Sequence, residues 1–111
     1  MTTGNVTIDT TSGEVLDGGD THTEIEADTA TITASGGIGE STGSGADAAL
    51  ETSLTTLNAT TTAGSIQIDE TDGVTLASVT AGGAGDVRIV SATGDLDVQA
   101  VTASDLSLIH I

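Results

Sequence analysis

Residues 64–76 read GSIQIDETDGVTL, and residues 4–16 read GNVTIDTTSGEVL. Both fit Gly-x-β-x-Ile-Asp-x-Thr-x-Gly-x-x-Leu, where β is a branched apolar residue, and their first glycines lie 60 positions apart. A third copy, GDVRIVSATGDLDV, starts at Gly85, 21 residues after Gly64. A shift of 60 is about three shifts of 20, so the working unit is 20–21 residues stacked about five times. Internal periods of this size specify solenoids, in which each repeat packs only on its neighbours. A stack of similar rungs makes a shaft or a surface more readily than a reaction vessel.

The match extends outward from these segments. Residues 73–81, GVTLASVTA, align with 94–103, GDLDVQAVTA, with one residue inserted, so Val79-Thr80-Ala81 falls on Val101-Thr102-Ala103. Within each repeat the apolar residues recur with period two: Val6 and Ile8, Ile66 and Ile68, Val87 and Ile89, Leu96 and Val98. On a strand such pairs share one face. Gly-, Asp-, Ser- and Thr-rich turns follow each run, as short strands require. The 22 threonines, with Val and Ile, suit a pleated surface. The one helical candidate is Ala46–Leu57, ADAALETSLTTL, whose second half reads as strand.

Short strands and turns in a 20-residue unit fit one coil of a parallel β-helix, with equivalent strands of successive coils about 4.8 Å apart. The expected fold is therefore all-β, a parallel β-helix covering residues 1–105. Inward residues should stack like on like. Val6, Ile66 and Val87 form one expected ladder, Ile8, Ile68 and Ile89 a second, and Leu16, Leu76 and Val98 a third. Residues 35–48 are rich in Gly and Ser and nearly lack apolar anchors, so they are expected to bulge as a surface loop. A core one coil wide explains how the chain manages without Phe, Trp or Tyr. The absence of Pro suits ladders that use every N–H.

Charge restricts the partners. The net charge is −16, with one Arg and no Lys. Nucleic acids and anionic membranes are bound through basic side chains, so neither is an expected partner. No apolar run approaches membrane-spanning length, and no membrane insertion by this segment is expected. The 36% apolar content and regular alternation favour a folded chain over a disordered acidic one. With no Cys, disulfides, thiolate metal sites and a Cys nucleophile are excluded.

Candidate sites are sparse. Asp17 and Asp20 of DGGD, with Asp28 and the intervening Glu24 and Glu26, supply carboxylates of the kind that hold Ca²⁺. A solvated acidic turn is the plainer reading, and no cofactor is otherwise implied. Gly82-Gly83-Ala84-Gly85-Asp86 approximates a calcium-binding glycine repeat, but its Asp comes one residue early and no second copy follows. His22 beside Glu24 lacks a partner His or Cys and reads as a surface residue. Asn5 and Asn58 fit the glycosylation sequon but are better read as strand-edge residues. No catalytic constellation is present.

The repeat chemistry of ADTATITASGGIGE (27–40), of residues 57–98 and of GNVTIDTTSGEV resembles the β-strand repeats of giant bacterial exoproteins. These are the filamentous-haemagglutinin-like and autotransporter adhesins. The resemblance implies a right-handed parallel β-helix, an extracellular or cell-surface location, and a structural role in adhesion or biofilm. The implied partners are further repeats of a longer chain and host-cell or matrix glycans or proteins. Residues 106–111, LSLIHI, resemble the translated end of a transposase sequencing adapter and are expected to break the repeat as a non-native tail. Two other readings stand beside this one. A β-helical polysaccharide-processing enzyme would need basic and aromatic groups, and here only Arg88 is offered. An acidic coat protein of a halophile would use the negative charge for solubility in brine.

Overall fold

The structure is a computed structural model that describes residues 4–15, 23–39 and 49–104, and the backbone of 106–110. Among the described residues nine strands form one sheet: β1 (Asn5–Asp9), β2 (Ile25–Ala34), β3 (Leu50–Thr61), β4 (Ile66–Glu70), β5 (Val74–Ala81), β6 (Val87–Ser91), β7 (Leu96–Val98), β8 (Val101–Thr102) and β9 (Leu106–His110). Every strand pairing among the described residues is parallel. The chain is a parallel β-helix of about four turns, slightly fewer than the sequence suggested. Its principal extents are 31 × 25 × 23 Å.

Four ladders of side chains fill the coil. In the first, Val6 lies beneath Ala30, Leu57, Leu76 and Val98; in the second, Ile8 lies beneath Ile32, Ala59, Val79 and Val101. In the third, Val15 bridges to Ile38 and Ile38 to Ile66, which pairs with Val87. In the fourth, Leu50, Ile68 and Ile89 stack. Ile32, Ile38, Leu57, Ile66, Leu76, Val79 and Ile89 are fully shielded from solvent. The expected register between residues 64–84 and 85–105 holds: Ile66 faces Val87, Ile68 faces Ile89, and Val79 faces Val101.

The 60-residue echo does not mark stacked positions. Val6 and Ile8 were expected with Ile66 and Ile68, but they stand in the ladders of Leu76 and Val79. The reason is coil length. Val6 pairs with Ala30, 24 residues on, and Ala30 with Leu57, a further 27. A shift of 60 therefore does not span whole coils. Leu76 pairs with Val98 as expected, whereas Leu16 lies outside the described residues.

Where the extra length enters is visible at Gly39. Ile38 and Ile66 are partners, and so are Leu50 and Ile68. Two steps in the coil of β4 thus correspond to twelve in the coil before it. Of the expected loop 35–48, residues 35–39 belong to the stack, with Ile38 tucked inward, and 40–48 lie outside the described residues. Gly39 has φ +70°, and a Cβ there would sit 2.7 Å from Leu50 N and 2.1 Å from Gln67 O. Only glycine lets the backbone pass so close to the neighbouring coil.

The second half of Ala46–Leu57 is strand, as read from sequence: β3 runs unbroken from Leu50 to Thr61. Residues 106–110 do not break the pattern. β9 pairs in register with β6 over five positions, because DLSLI (105–109) repeats the alternation of DVRIV (86–90).

Candidate functional site

The alternation that builds β4 puts Ile66, Ile68 and Glu70 on one face, all inward. Glu70 therefore enters the aliphatic column as a carboxyl, 1% exposed. In the ladder it stands between Thr52 below and Ser91 above, both fully buried. These three, in successive coils, make a polar column within a mainly apolar interior.

The local backbone explains why a carboxyl is needed there. β3 pairs with β4 up to Thr52–Glu70 and with β5 from Thr56–Thr75. Between those points the upper coil turns through Thr71–Gly73, while β3 runs straight on. Ser53–Thr55 thus face a corner with no strand above them. The Leu54 N–H is taken at this gap by Glu70 Oε1, at 2.7 Å. Thr52 Oγ1 makes a close hydrogen bond with Glu70 Oε2. Above, Ser91 Oγ lies 2.9 Å from the Asp72 carbonyl and 2.8 Å from that of Thr93, fastening the corner to the next coil. A buried polar group without such partners would be strongly destabilising.

Burial pushes the Glu70 carboxyl from an ordinary 4.5 up to about 8. The Leu54 N–H and the Thr52 hydroxyl pull the other way, and the neighbouring Asp72 carboxyl, hydrogen-bonded to Glu70, raises it further. Asp72 also lines an open surface depression of about 130 Å³ with Ala27, Ser53, Leu54, Thr55 and Gly73. Glu70 is 1% exposed and does not line this depression.

Of the acidic residues singled out in the sequence, Glu24, Glu26 and Asp28 fall among the described residues. Asp28 is exposed in the middle of β2, and Asp17, Asp20 and His22 lie outside the described residues. No group of three or more His, Cys, Asp or Glu suited to a metal occurs among the described residues. Glu24 instead caps the backbone, its Oε2 accepting from Glu51 N at 2.8 Å. Arg88 is exposed on the outer face of β6. Asn5 and Asn58 sit in β1 and β3. Sequence reasoning passed over Glu70, although parity could have found it: Ile66 and Ile68 inward put Glu70 inward too. No family model, curated protein or solved structure matches the chain.

Proposed function

We propose that the chain is a structural segment of the shaft of a secreted surface adhesin. The observation that carries this reading is the division of the coil into a sealed aliphatic column and a polar outer face. Inward positions of β2 to β6 are buried, while the residues between them are mostly Thr, Ser, Asp, Asn, Gln and Arg in partial or full contact with solvent, Glu51 being a buried exception. Such a surface, in a chain of charge −16, keeps a filament soluble and self-repelling. The coil grows by repeating one ladder, so length is gained without redesign. The Glu70 carboxyl is buried and its oxygens accept from Leu54 N and Thr52 Oγ1, which favours a structural use of this acid.

The test is surface labelling. Antibodies raised against the purified protein should decorate intact cells of the source organism. Labelling that appears only after lysis would overturn the reading. A parallel assay for reducing ends released from polysaccharides should be silent. Reproducible release, abolished by Asp72→Asn, would move the protein among the enzymes.

A further inference from the structure

We infer that Glu70 is a proton-operated latch on the corner between β4 and β5: the neutral carboxyl closes the corner from inside, and its ionisation loosens it. The case rests first on position. Glu70 is the carboxyl that the inward face of β4 carries into the column, and the corner it serves is the gap where β3 leaves one upper strand for the next. Its Oε1 holds Leu54 N and its other oxygen meets Thr52 Oγ1. The neutral acid satisfies all these groups while carrying no charge into the aliphatic column.

The surroundings offer an anion little relief. Asp72, from the corner itself, faces Glu70 directly and is also an acid. On β3, Glu51 lies beside Thr52, and on β4, Asp69 precedes Glu70; both are acids. From β6 the facing residue is Ser91. Arg88 is the chain's single Lys or Arg, and it is exposed on the outer face of β6. Losing the proton to solvent therefore leaves a buried negative charge next to a second carboxyl, stabilised by one N–H and one hydroxyl.

The sign follows from linkage. A carboxyl whose folded value is raised to about 8 holds its proton in the folded chain and releases it in the unfolded one over roughly pH 4.5–8. Its contribution to stability is complete below about pH 4.5 and is lost as pH rises through about 8. The corner should thus be tightest in acid and loosest in mild alkali, with the change centred on Leu54 and Thr71–Gly73.

The experiment is amide hydrogen exchange, read as protection factors so that base catalysis of exchange is removed, on the whole chain and on Glu70→Gln. Glutamine keeps the shape and the acceptor for Leu54 N but cannot ionise. Between about pH 6 and about pH 9, protection at Leu54 should fall about tenfold or more in the natural chain and stay within about twofold in Glu70→Gln. Protection at Ile32, away from the corner, should change alike in both. Equal pH profiles at Leu54 for the two proteins would overturn the inference. If Glu70→Gln does not fold, the natural chain decides alone: a Leu54 protection profile that does not fall between about pH 6 and about pH 8 and level off above that refutes the latch.

Discussion

The inner and outer rungs of this β-helix use the same residue types at the same positions, yet only the inner ones are sealed. Ile8, Ile32, Ala59, Val79 and Val101 form one ladder. Ile32 and Val79 are 0% exposed, whereas Ile8 and Val101 are half-buried and Val98, in the outer rung, is 46% exposed. Residue type does not account for the difference; the number of neighbouring coils does. A solenoid side chain is shielded by the rung above and the rung below, and an outer rung lacks one of them. Burial, and with it stability, should therefore be graded from the middle of the stack towards both ends.

The largest effect expected is at the sealed centre. Ile68→Asp places an unpaired carboxylate between Leu50 and Ile89, without the N–H and hydroxyl that serve Glu70. Its cost should be about 3–5 kcal/mol in urea melting. Survival with a loss below about 1 kcal/mol would show that the ladder is not closed there.

The comparison itself is tested by one substitution made twice in one ladder. Ile32→Ala should cost about 3 kcal/mol and Ile8→Ala about 1 kcal/mol, because the outer site already exposes part of its side chain. Equal losses would mean that the outer rung is as well covered as the inner. Gly39→Ala should cost about 1–3 kcal/mol, since the new Cβ meets Gln67 O and Leu50 N at a positive φ. The melting temperature of this variant would show how much the close backbone approach at Gly39 matters to the stack. The smallest change should be Gln67→Asp, within about 0.5 kcal/mol, because Gln67 faces outward beside Arg88 in the next coil. A loss rivalling that of Ile68→Asp would mean a register slipped by one residue.

What the sequence made legible follows the same gradient. The pairing of residues 64–84 with 85–105 could be read because these coils are nearly equal in length and their period-two runs coincide. The stacking of Val6 could not. The coils before Leu57 carry 24 and 27 residues, and similarity between GNVTID and GSIQID reflects a shared strand-and-turn chemistry rather than a shared column. Glu70 was hidden for another reason. In IDETDG it reads as one more acid entering a turn, and its inward parity becomes informative only once the turn is known to start after it. LSLI was legible in principle, since its alternation is that of VRIV, but the resemblance of the whole hexamer to an adapter obscured it.

Register is the claim on which the rest depends, and interstrand nuclear Overhauser contacts between backbone protons of the folded chain test it most directly. Residues 66–70 should show contacts to 87–91 in a parallel pattern, and Val6–Ile8 should show contacts to Ala30–Ile32. Contacts in an antiparallel pattern, or between Val6–Ile8 and Ile66–Ile68, would contradict the stack described here.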